Sequence, residues 1–167
     1  MPQRSVFEDS TAAKGVPSEG RIPDGPVPAL SVVWHPATHR AGERLLLYGV
    51  ALGREVAVSR SEPDFGKPGS ALGEPLSDPF VSRKPIVFGP APAGGIAITA
   101  PPGSRCVCGG GLVEGRIELD REALMRGIPI ALADRVVLLL HLAEPLRGAA
   151  EHTFDMAGES MGIRRVR

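Results

Sequence analysis

The chain has 167 residues, in which 19 acidic side chains balance 19 basic ones, with ordinary apolar content, few aromatics, 21 Gly and 17 Pro. One domain with trailing segments suits this length, and the balanced charge removes the long-range attraction on which a nucleic-acid or anionic-membrane binder relies. No apolar run approaches the roughly 18 residues that span a bilayer, no basic start precedes an apolar run at the amino terminus, and Cys106 and Cys108 lie too close together to staple a fold. The chain therefore reads as cytoplasmic, with no membrane and no direct nucleic-acid partner.

Residues 1–28 mix Ser, Thr, Gly, Pro and charges with hardly any large side chains, and are expected to form a disordered leader. From Ala29 the texture changes. Ala29 to Trp34 and Arg44 to Tyr48 are apolar, partly β-branched or aromatic runs parted by His35 to Gly42, which predicts a first hairpin. In Arg54 to Arg60, Val56 and Val58 alternate onto one face, as in a half-buried strand. Residues 61–80 hold four prolines and no periodicity, a loop of the length that is usually functional or disordered.

Further strands are expected at Pro85 to Phe88, Ile96 to Thr99, Leu112 to Val113, Arg116 to Leu119, Ile128 to Leu132 and Arg135 to Leu142, bounded mostly by Gly, Pro or Asp. This spacing predicts an all-β fold, an antiparallel β-sandwich occupying residues 29–147. One short helix interrupts it, Arg121 to Arg126, with Asp120 as its cap and Gly127 as its terminator. Residues 148–167 are polar and then carry Met156, Met161, Ile163 and Val166, as a linker entering a short helical tail would.

The informative pair of segments is Val58-Ser59-Arg60 at the end of one strand and Asp78-Pro79-Phe80-Val81-Ser82-Arg83 just before another. Together they resemble the forkhead-associated (FHA) domain, in which a strand ends in Gly-Arg and a later loop carries Val-Ser-Arg-x-His. The resemblance spans roughly Ala29 to Leu142. It implies a phosphothreonine-binding β-sandwich in which Arg60 and Ser82 take the phosphate, with Arg83 beside them, because the guanidinium fork matches phosphate oxygens. Arg54, after Gly53, is a rival for the first position, and Arg60 is preferred because it lies nearer to Ser82. Ser104 and Arg105 fall where the family has a Ser followed by Asn-Gly. The departures are Ser59 for Gly, Pro85 for the His, and the lack of any Asn in the chain. A degenerate sandwich that acts in protein–protein interaction or assembly without phosphate recognition is therefore the alternative.

The tail, Gly158-Glu159-Ser160-Met161-Gly162-Ile163-Arg164-Arg165-Val166, resembles the opening of the AAA+ ATPase domain of sigma-54-dependent transcriptional activators. It implies contact with sigma-54 RNA polymerase only through an ATPase domain of which this chain holds the start. Without a Gly-x-x-x-x-Gly-Lys-Ser/Thr loop no nucleotide is held, so no enzyme and no cofactor are expected. The same tail fits Gly-x-Ser-x-Gly, but no Asp, Glu or His follows Ser160 to complete a hydrolase triad. Cys106 and Cys108 read as small apolar side chains, since no histidine stands at ligand spacing from them. His141 is expected on the face shared by Val137 and Leu139, in a structural role. In the leader, Phe7-Glu8-Asp9-Ser10-Thr11 puts acidic residues ahead of Thr11, so the phosphorylated partner is another protein or this chain's own Thr11.

Overall fold

The computed structural model describes residues 23–146. Ten strands are found there: β1 (Val27–Trp34), β2 (Arg44–Leu46), β3 (Val56–Val58), β4 (Ile86–Pro90), β5 (Ile96–Ala100), β6 (Cys106–Cys108), β7 (Gly111–Leu112), β8 (Gly115–Leu119), β9 (Ile128–Leu132) and β10 (Val136–Ala143). They form two antiparallel sheets, one in the order β2-β1-β10-β9-β6-β7 and the other in the order β3-β4-β5-β8. The expected mostly-β, antiparallel architecture is present.

Alternation explains how the sheets meet. Along β10, Val136, Leu138 and Leu140 are buried while Val137, Leu139 and His141 are half-buried on the other face. From the second sheet Ile86, Phe88, Ile96 and Ile98 join the same hydrophobic cluster as Leu30, Val32, Ile130 and Leu138. Both sheets thus close on one core, and each fully buried aliphatic or Phe side chain contributes about 1.5–3 kcal/mol relative to exposure. On the outer face the Ser31 hydroxyl lies 2.7 Å from His141 Nε2, and His141 Nδ1 lies 3.0 Å from the Leu142 carbonyl oxygen. A carbonyl can only accept, so Nδ1 carries a proton and donates to it, while Nε2 and the Ser31 hydroxyl share the second bond.

Several boundaries differ from expectation. β1 begins at Val27, where Val27 and Pro28 pair with Ala143 and Leu142, so the leader cannot extend to residue 28. Arg44 to Tyr48 is not one strand: β2 stops at Leu46, and Tyr48–Ala51 is a single helical turn, α1. Three consecutive leucines on a strand would alternate between faces, whereas the turn puts both Leu47 and Val50 into the core. The segment Cys106–Cys108 is a strand of its own, paired with β9 and β7, and β7 starts one residue before the expected Leu112.

The helix expected at 121–126 is α2 (Arg121–Arg126), and the Asp120 carboxylate accepts a hydrogen bond from the Ala123 N–H at 2.7 Å. Its chain leaves through Gly127, whose φ of 82° is open to glycine and strained for other residues.

Residues 61–80 are held down along their length. Phe65 and Leu76 are fully buried, and isolated bridges join Arg44 to Gly66 and Phe65 to Glu74. The strongest anchor is Arg40, 2% exposed, which donates to Glu43 Oε2 at 2.8 and 2.6 Å and to the carbonyl oxygens of Glu74, Pro75 and Leu76. His35 adds a second tie. Its Nδ1 accepts from the Ala37 N–H, so its Nε2 donates to the Leu76 carbonyl at 2.8 Å. A charge this deep is tolerated because its donors are met, and the loop that carries residues 78–83 is fixed as a result.

The leader through residue 22, including Thr11, and the tail from 147, including the expected helix, the ATPase-like stretch and the Gly-x-Ser-x-Gly match, lie outside the described residues. Among the described residues no helix is long and apolar enough to cross a membrane.

Candidate functional site

Register builds the site. β3 pairs with β4 so that Val58 faces Ile86, which brings the residues after β3 against those before β4. The Arg60 N–H donates to the Ser82 carbonyl at 3.2 Å, and the Arg60 carbonyl accepts from the Ser77 N–H at 2.8 Å. One guanidinium nitrogen of Arg60, Nη1, donates to the Pro79 carbonyl at 2.8 Å. That single bond orients the planar group and leaves most of its five donors unspent.

Two side-chain turns shape the facing loop. The Asp78 carboxylate accepts from the Phe80 N–H at 2.9 Å, and the Ser82 hydroxyl oxygen accepts from the Lys84 N–H at 3.0 Å. The Ser82 hydroxyl proton remains available to donate. Arg83 and Lys84 are exposed, and among the described residues neither they nor Arg60 has a carboxylate partner. The rim therefore gathers three uncompensated cations and a hydroxyl donor within one β3–β4 connection.

Two further segments reach the same end of the sheets. Asp78, buried, is met by Arg135 Nη2 at 3.3 Å from the turn between β9 and β10, and the Arg135 guanidinium stands 4.8 Å from the centre of the Phe80 ring. The Ala133 N–H donates to the Arg105 carbonyl at 3.1 Å, and Arg105 is paired with Asp134. Ser104, half-buried, lines with Arg105, Pro101, Leu112 and Val113 a recess of about 380 Å³. Ser104 and Arg105 thus sit at the rim end, but the charge of Arg105 is answered by Asp134.

No family model, curated protein or solved structure matches this chain.

Arg54 is placed elsewhere. It precedes β3 and Arg60 follows it, so about 20 Å of extended chain separates them, and the Arg54 N–H is bound to the Gly49 carbonyl at the far end. Only Arg60 of the two rivals meets Ser82.

Backbone strain marks the same end. Of the non-glycine residues with positive φ, Ser77, Arg105, Ala133 and Asp134 lie in these loops, at φ 51–56°, and Ala93 lies apart. Such conformations cost about 1–2 kcal/mol each and persist where surrounding contacts over-determine them. Asp78, Phe80, Lys84, Asp134 and Arg135 were not among the residues singled out for binding. Arg135 carried no motif, and its only signal was its place just before the longest apolar run.

Other features lack a comparable focus. A larger cleft of about 860 Å³ opens beside β2, but Arg44 and Lys67 there are mixed with Asp64 and Glu144. Burial, with the nearby Cys108 as a smaller cause, pushes the Cys106 thiol up to about 11, and burial also raises Cys108. Both thiols are therefore protonated at neutral pH and poor nucleophiles. Among the described residues no group of three or more His, Cys, Asp or Glu side chains could hold a metal ion.

Proposed function

We propose that this chain is a phosphothreonine-peptide-binding module of the forkhead-associated type, acting without catalysis. The observation that carries the reading is the junction of Arg60 with Ser82 at a rim where, among the described residues, Arg83 and Lys84 also have no carboxylate partner. A phosphothreonine brings a charge of about −1.5 to −2 and three strong acceptor oxygens. The spare guanidinium donors of Arg60, the Ser82 hydroxyl proton and the two flanking cations supply what such a group requires.

The regulatory context is part of the proposal. The ATPase-like stretch at 158–166 favours a cytoplasmic sensory domain of a sigma-54-dependent transcriptional regulator, which meets RNA polymerase through an attached ATPase. The phosphorylated ligand is another protein or this chain's own Thr11.

Calorimetric titration with a panel of phosphothreonine peptides, each against its unphosphorylated counterpart, tests the reading. Phosphate-dependent binding supports it, and identical heats for the two forms overturn it.

One observation favours a second reading. Pro85 stands, exposed, where the family has a His, and offers neither a side-chain hydrogen bond nor a backbone donor. In that reading the sandwich is an interaction or assembly module that no longer recognises phosphate. Regulation that survives the double change Arg60→Ala with Ser82→Ala would favour it.

A further inference from the structure

We propose that β8 is a self-association edge through which two copies of this chain pair. Four strands end the two sheets: β2, β7, β3 and β8. Gly66 bridges to Arg44 on β2, β7 has two residues, and β3 has three. Short or covered edges resist pairing. β8 has five residues, bonds only to β5, and among the described residues makes no backbone hydrogen bond to any other segment.

The side chains of β8 specify what pairs with it. Arg116 and Glu118 share the outer face, both about half exposed, with Arg116 Nη2 at 2.7 Å from Glu118 Oε1. Ile117 between them packs against the core. An antiparallel partner of the same sequence, related by a two-fold axis at Ile117, sets Arg116 opposite Glu118 of the second copy and Glu118 opposite its Arg116. Both cross-strand pairs are then attractive, and the interface is isologous.

No neighbouring register shares this property. An axis at residue 116 puts Arg against Arg, and an axis at 118 puts Glu against Glu. Of the registers centred on residues 116, 117 and 118, the strand is thus self-complementary in one only. Pairing in that register joins two four-stranded sheets into one, with the two rims pointing in opposite directions, because Gly115 pairs with Ala100 at the rim end.

Sedimentation equilibrium of the full chain across the micromolar range is the test, with circular dichroism to confirm folding. Wild-type chain should show a species of twice the chain mass. Arg116→Glu and Glu118→Arg, both at exposed positions, should each weaken that species by about tenfold or more, since each makes both pairs repulsive. An equimolar mixture of the two variants should restore a heterodimer, and the double variant Arg116→Glu with Glu118→Arg should restore the homodimer. A wild-type chain that stays monomeric, a dimer that ignores the single reversals, or a mixture that fails to reassociate overturns the proposal.

Discussion

Arg60 and Ser82 are joined through their main chains, N–H to carbonyl oxygen at 3.2 Å, before either side chain contributes. Substitution at either position therefore removes a functional group while the backbone that positions it stays. Arg60→Ala should leave the fold intact and weaken phosphothreonine-peptide binding by about 1.5–3 kcal/mol, the range for hydrogen bonds to charged groups. Arg54→Ala, at the other end of β3, should change the calorimetric affinity little. Equal losses for the two variants would count against the rim.

Arg40 is the interior charge on which the 74–76 segment hangs. Arg40→Ala leaves the buried Glu43 carboxylate without its partner and takes one donor from each of three carbonyl oxygens, and should cost about 3–5 kcal/mol in urea unfolding. Arg126→Ala removes an exposed helical pair with Glu122 and should stay within about 0.5 kcal/mol. Because residues 74–76 lead into 78–83, phosphopeptide binding should also fall in Arg40→Ala under conditions where the protein remains folded.

Cys106 makes stability depend on pH in the alkaline range. Its folded thiol is raised to about 11 from the ordinary value of 9.0. A group that loses its proton more readily in the unfolded chain favours folding while both states stay protonated, so its contribution is complete below about 9 and is lost as pH rises toward 11. Unfolding free energy measured from pH 8 to 11 should decline, and Cys106→Ala should flatten that decline. Iodoacetamide at pH 8 should label Cys106 slowly in native protein and rapidly in urea.

The two ends of α2 give a smaller pair of effects. Asp120→Ala removes the cap on the Ala123 N–H and should cost about 1 kcal/mol. Gly127→Ala forces a side chain into φ 82° and brings its Cβ to 3.2 Å from Leu139 Cδ1, so it should cost at least about 1 kcal/mol. Thermal unfolding of both variants checks the order.

What the sequence determined by itself was the local pattern. Alternation in β10, the β-branched runs of β1 and β9, and the Asp120-to-Gly127 frame of α2 were legible because period, cap and terminator act within a few residues. The Ser-Arg segments at 59–60 and 82–83 stood out as a pair flanking two strands, and the structure brings them together. Spacing along the chain already favoured Arg60 over Arg54, and the tertiary structure decided, through the β3–β4 register, that Arg60 meets Ser82. It also decided that the proline-rich stretch 61–80 is pinned by buried Arg40, Phe65 and Leu76, and that Arg135, far along the sequence, answers Asp78. The split between Leu46 and Tyr48 has the same origin, because burial of Leu47 and Val50 overrides a strand-like apolar run. Long-range contacts carry no local signature, as the residues that meet are chosen by the shared core on which both sheets close.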